Sequence, residues 1–117
     1  MMLNVANVIE RFANLSGLSE EEIDKWVYIC EDSVEEIRSR LREGISESEN
    51  SKKLNSAAAA LSFYKYVLCI SIRDDLNPEN QYISNPYTKN LALTLWQEQK
   101  EDIANLLYDN NFVFKTI

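Results

Sequence analysis

The sequence predicts an all-α fold: a compact bundle of about four helices, with a long connection before the last helix and a short extended C-terminal tail. Three observations carry this. Apolar residues recur at spacings of three and four along most of the chain. The only glycines, Gly17 and Gly44, fall at helix boundaries, and the only prolines, Pro78 and Pro86, share one connecting stretch. Apolar residues make up 45% of 117 residues, enough for one core, so residues 1–117 read as a single helical domain.

Leu3, Val5, Val8, Ile9 and Phe12 predict a first short helix over about residues 3–14, closed by Gly17. A second helix is expected to start after Ser19. The Ser19 hydroxyl can accept from the Glu22 amide while the Glu22 side chain reaches back, a capping box with Leu18 and Ile23 as its hydrophobic staple. The acidic triplet Glu20, Glu21, Glu22 suits the positive end of the helix dipole. This helix is expected to run to about Glu43 and end at a left-handed Gly44, burying Ile23, Trp26, Val27, Cys30, Val34, Ile37 and Leu41. Arg38, Arg40 and Arg42 would complete its C-terminus, with Glu36 and Arg40 forming an i,i+4 pair.

After a polar loop, a third helix is expected from near Asn50 to about Arg73. Its polar stripe, Asn55, Ser62, Lys65, Tyr66 and Arg73 with Cys69 among them, is narrow. A helix apolar around most of its circumference belongs in the middle of a bundle, and Ala57 to Ala60 would let neighbours approach closely. Asp74 to Tyr87 reads as an extended connection, with a short strand conceivable at Gln81 to Ser84. A fourth helix is expected over about Thr88–Asp109, its inward face formed by Ala92, Leu95, Trp96, Ile103, Leu106 and Leu107. Tyr87, Lys89, Leu91, Leu93 and Leu95 alternate like a strand, but Ala, Leu, Gln, Glu and Lys over so long a segment favour helix.

Composition narrows the function classes. The net charge is −7, which disfavours nucleic acid and anionic membrane surfaces as direct partners. Ala57 to Ile72 is the longest strongly apolar stretch. Ser62, Lys65 and Ser71 interrupt it, and it is shorter than the roughly 20 residues of a spanning helix. Met1-Met2-Leu3-Asn4-Val5 lacks the basic patch and apolar core of a signal peptide, so a cytoplasmic protein with free thiols at Cys30 and Cys69 is expected.

With no histidine, the chain has no imidazole for proton transfer or metal ligation at neutral pH. The acidic set Glu31, Asp32, Glu35 and Glu36 reads as a solvated face, since carboxylate metal sites in bundles draw ligands from several helices and often include histidine. Cys30 lies on an apolar stripe and behaves as a small hydrophobe. Cys69, one turn from Lys65, is the stronger thiolate candidate, yet it lacks a histidine base. Trp26, Tyr64, Tyr66 and Trp96 read as core. No catalytic residue, cofactor or metal is therefore assigned. The C-terminal run Phe112-Val113-Phe114 is the candidate interaction element, able either to fold back on its own bundle or to add as a strand to another subunit.

The layout resembles the small helical head–tail connector (adaptor) proteins of tailed bacteriophages and integrated prophages. The likeness runs through Leu15-Ser16-Gly17-Leu18-Ser19-Glu20-Glu21-Glu22 into Trp26 and Cys30-Glu31-Asp32, then Ile37-Arg38-Ser39-Arg40-Leu41. It continues in the alanine-rich Asn55 to Tyr66 and in Leu106-Leu107-Tyr108-Asp109 followed by Phe112-Val113-Phe114. The resemblance implies a non-enzymatic virion assembly protein joining the portal to the tail or a stopper protein, found in the host cytoplasm and then in the virion. It also implies contacts between identical subunits in a ring, with the connection Asp74 to Tyr87 taking part. Tyr82 and Tyr87 are the candidate contact residues there. The alternative is a cytoplasmic helical protein-interaction or regulatory module that holds a partner helix in a groove. Paired carboxylates for acid–base work have no defined apolar setting in the sequence, so an enzyme ranks last.

Overall fold

A computed structural model describes residues 2–76 and 86–108, with the side chains of 73–76, 86 and 87 left aside. Among the described residues the fold is all-α. The helices are α1 (Val5–Ser16), α2 (Glu20–Asp24), α3 (Val27–Ser39), α4 (Ser51–Leu76) and α5 (Pro86–Ile103), followed by a 3-10 turn at Ala104–Leu106.

α4 is the axis of the fold. It has 26 residues, about 39 Å at 1.5 Å per residue. α1, α3 and α5 all pack on it, and α1 also packs on α3. Leu54, Ala57, Ala58, Ala59, Ala60, Leu61 and Val67 are buried, as expected for a helix surrounded by neighbours. Three residues of its expected polar stripe, Asn55, Ser62 and Tyr66, are buried as well, while Lys65 and Cys69 are half-buried. Ser62 is satisfied within its own helix and Asn55 across to the N-terminal segment. The Ser62 hydroxyl donates to the Ala58 carbonyl at 2.7 Å. The Asn55 amide donates to the Met2 carbonyl, and its oxygen accepts from the Asn4 backbone N–H at 3.1 Å. Asn55 thus fixes the segment leading into α1.

α1 starts where Asn4 caps it, the Asn4 side chain accepting from the Asn7 amide at 2.8 Å. It buries Val8 and Phe12 and ends at Gly17, whose φ of 70° lets its N–H reach the Ala13 carbonyl. At α2 the Ser19 hydroxyl accepts from Glu22 as expected. The reciprocal arm of the capping box is replaced, because the Glu22 carboxylate pairs with Lys25 at 3.1 Å.

The long second helix expected over residues 19–43 is instead two helices. Trp26 leaves helical geometry (φ −114°, ψ 5°) after tight i,i+3 bonds from Lys25 to Glu22 and from Trp26 to Ile23. The break lets the Trp26 indole pack edge-on against Tyr66, with ring centroids 4.9 Å apart at 86°. Phe12 meets the same ring edge-on at 5.7 Å, and Phe63 stacks on it at 6.4 Å. Tyr66 is therefore the hub where α1, α3 and α4 meet. The phase change at Trp26 also corrects the buried stripe. Ile29 and Ser33 are buried alongside Cys30, Val34 and Ile37, while Val27 and Leu41 are half-buried.

α3 stops at Ser39, before the expected Glu43. The chain turns at Arg40 (φ −105°, ψ 1°), and Leu41 forms an antiparallel bridge with Leu107. Gly44 does adopt a left-handed conformation (φ 85°), but within the turn beyond the bridge rather than at the helix end. α5 is helical from its start, which settles the alternating stretch around Leu91 in favour of helix. Pro86 occupies its first position, where a missing N–H costs nothing. Ala92, Trp96 and Ile103 are buried and Leu95 packs beside them, but α5 ends at Ile103, short of Asp109.

Candidate functional site

Of the candidate interaction residues, Tyr82, Phe112, Val113 and Phe114 lie outside the described residues, as does the strand considered at Gln81 to Ser84. Tyr87 is in the first turn of α5 by its backbone alone. The described residues do define where the C-terminal run departs. Arg42 N–H donates to the Leu106 carbonyl at 2.8 Å, and Tyr108 N–H donates to the Arg40 carbonyl at 3.0 Å. The Arg42 guanidinium donates through Nε to the Leu107 carbonyl at 2.9 Å. Leu107 is extended (φ −106°, ψ 142°), and Tyr108 beyond it is 68% exposed.

The same stretch holds the other end of the chain. Arg38 donates through Nη2 to the Leu3 carbonyl and makes a two-pronged contact with the Glu47 carboxylate at 3.0 and 3.1 Å. Residues 38–42 thus clamp both the lead into α1 and the exit from α5. The three arginines, read from sequence as helix-terminus charges, serve mainly as donors to carbonyls. Arg40 donates to its own helix at the Glu36 carbonyl.

The expected Glu36–Arg40 side-chain pair is replaced by a tertiary one. Glu36 Oε2 lies 2.7 Å from Lys65 Nζ, joining α3 to α4. Lys65 therefore directs its charge at Glu36 rather than standing as an isolated cation beside Cys69. Glu31, Asp32 and Glu35 are exposed, matching the solvated-face reading. No cluster of three or more metal-ligating side chains occurs among the described residues. Burial pushes the Cys30 thiol up to about 11; a hydrogen bond with Ser62 lowers it in part, and neighbouring Glu31 raises it further. At neutral pH Cys30 is a protonated, buried thiol, as a core residue should be.

A groove of about 240 Å³ runs between α1, α4 and α5. Ser56, Ala59 and Ala60 of α4 line it, with Arg11, Asn14 and Leu15 from α1 and Leu95 and Gln99 from α5. The alanines keep the space open between flanking helices. Sequence reasoning passed over Arg11, which sits on the outer part of an amphipathic helix and resembles any solvated charge. No described helix is long and apolar enough to cross a membrane.

In comparisons with known proteins, no family model, no curated protein and no solved structure matches this chain. The class that the described residues define is an all-α bundle built around one central helix.

Proposed function

We propose that this chain is a non-enzymatic assembly protein of the head–tail connector type. It would join the portal of a tailed bacteriophage or prophage to its tail or a stopper protein, and pack against identical subunits in a ring. It would use no cofactor. The sequence resemblance supplies the specific form of this reading. The observation that carries the assembly role is the clamp at Arg40–Arg42. It holds Leu106, Leu107 and Tyr108 by backbone-directed bonds and leaves Leu107 extended, so Phe112, Val113 and Phe114 follow from a fixed origin. An aromatic and β-branched run that follows an anchored Tyr108 suits strand addition to a neighbour, where main-chain bonds give affinity and alternate side chains give specificity. Exposed apolar residues such as Tyr28, Ile72 and Leu91 offer further contact area.

The groove between α1, α4 and α5 favours a second reading, a cytoplasmic helical module that engages a protein partner without any virion. Deletion of residues 112–117 tests the assembly role, and co-purification with the portal protein separates the two readings. A variant that melts like the full chain but no longer assembles supports the first. A sharp loss of thermal stability with unchanged assembly would place the run on its own bundle. A gene away from portal, capsid and tail genes, with no portal complex on purification, would sink the connector reading.

A further inference from the structure

We infer that the groove between α1, α4 and α5 is a binding site for a carboxylate carried on a short apolar body. Arg11 is the reason. The chain holds 19 acidic residues, yet among the described residues Arg11 pairs with none of them. Two neutral groups hold its guanidinium instead: Nε donates to Asn7 Oδ1 at 3.0 Å and Nη1 to Ser56 Oγ at 2.8 Å. A guanidinium carries five N–H donors in a planar fork. Two are used to fix its plane, and the rest have no partner among the described residues. A cation held in place by neutral groups retains its full attraction for an anion, and the fork matches a carboxylate edge-on.

The rest of the groove selects what accompanies the carboxylate. Ala59, Ala60, Leu15 and Leu95 supply an apolar lining, while Ser56 places a hydroxyl beside the guanidinium. The volume of about 240 Å³ lies below the range of drug-sized pockets, about 300–1,000 Å³, and suits a body of a few carbons. The net charge of −7 does not prevent this, because screening limits distant surface charges to roughly 8 Å at physiological salt. This inference is independent of the connector reading, because it involves neither the Arg40–Arg42 clamp nor the C-terminal run. The occupant is a free small acid, because the volume of about 240 Å³ admits only a few carbons beside the carboxylate.

The full chain, labelled with nitrogen-15, is titrated with hexanoate, with neutral hexanamide and with a short helical peptide carrying one glutamate between two leucines. The expected result is that hexanoate shifts the amides of Ser56, Ala59, Ala60 and Leu95, while hexanamide shifts them at about tenfold higher concentration or not at all. Hexanoate should bind more tightly than the peptide; tighter binding of the peptide would overturn the assignment to a free acid. Arg11→Gln should weaken binding about tenfold, and Arg11→Lys should restore part of it. Equal shifts from hexanoate and hexanamide, no shift with either acid, or binding unaffected by Arg11→Gln would overturn the assignment. The hexanamide comparison stays decisive on the unaltered chain even where an Arg11 variant fails to fold.

Discussion

Lys65 Nζ sits 2.7 Å from Glu36 Oε2, with the lysine side chain 11% exposed and the glutamate 29%. This pair links α3 to α4 across a distance of 29 residues in sequence. It is shielded enough that losing one partner strands a charge, yet open enough that water relieves part of the cost. Lys65→Met should destabilise the fold by about 1–2 kcal/mol. The double variant Lys65→Met, Glu36→Met should recover much of that loss, because replacing both charges with apolar groups leaves none unpaired. Urea unfolding of the four species closes the cycle. A double variant no more stable than Lys65→Met would show that the pair is not the origin of the cost.

The clamp from Arg42 to Leu107 concerns local rather than global stability. Arg42→Ala removes the Nε donor and leaves the backbone bridge in place. The Tyr108 amide, bonded to the Arg40 carbonyl, should exchange its hydrogen about fivefold to tenfold faster, the equivalent of about 1 kcal/mol. Amides in the middle of α4 should keep their protection. Equal acceleration in both places would mean that the clamp supports the entire fold.

Trp26 should be among the most sensitive positions. It is 4% exposed and packs on Tyr66. Trp26→Ala is expected to cost about 3–5 kcal/mol by urea unfolding, with Trp26→Phe costing markedly less. Wild-type-like stability in Trp26→Ala would mean that the break between α2 and α3 has another origin.

Gly17 tests the backbone alone. An added Cβ would meet nothing within 4 Å, so space is not the constraint; φ of 70° is. Gly17→Ala should lower stability by about 1 kcal/mol, and Gly17→Asn by less, since asparagine tolerates the left-handed region better. A thermal melt compares them, and an unchanged midpoint for Gly17→Ala would refute the argument.

Cys30 predicts a pH dependence. Its folded pKa, about 11, lies above the ordinary value of 9.0, chiefly because burial disfavours the thiolate. The folded state therefore holds its proton where the unfolded chain gives it up. Stability should not change through this group below about pH 9, then fall as pH rises towards 11. The slope attributable to Cys30 is the difference between wild type and Cys30→Ala over that range. Thiol-specific reagents should reach Cys30 at neutral pH only as fast as the protein opens. Identical pH profiles for the two proteins would remove Cys30 as the cause.

What the residues declared in advance was local in origin. The period of three to four, the cap at Ser19, the helix boundary at Gly17 and the nearly all-apolar surface of α4 predicted an all-α bundle with α4 at its centre. Each rests on interactions within a few residues or on how much of a helix must avoid water. The Glu36 pairing, the break at Trp26 and the early end of α3 were not legible, because each is settled by a partner far away in the chain. Glu36 has Arg40 one turn away but meets Lys65 instead. Trp26 leaves the helix without a glycine or proline to announce it, since the Tyr66 ring is the surface it must cover. Arg11 belongs to the same group: its place beside Ser56, and hence the groove, exists only once α1 lies across α4. Local sequence determined which segments coil. Packing between distant segments decided where the coils stop, which charges meet and where the surface opens.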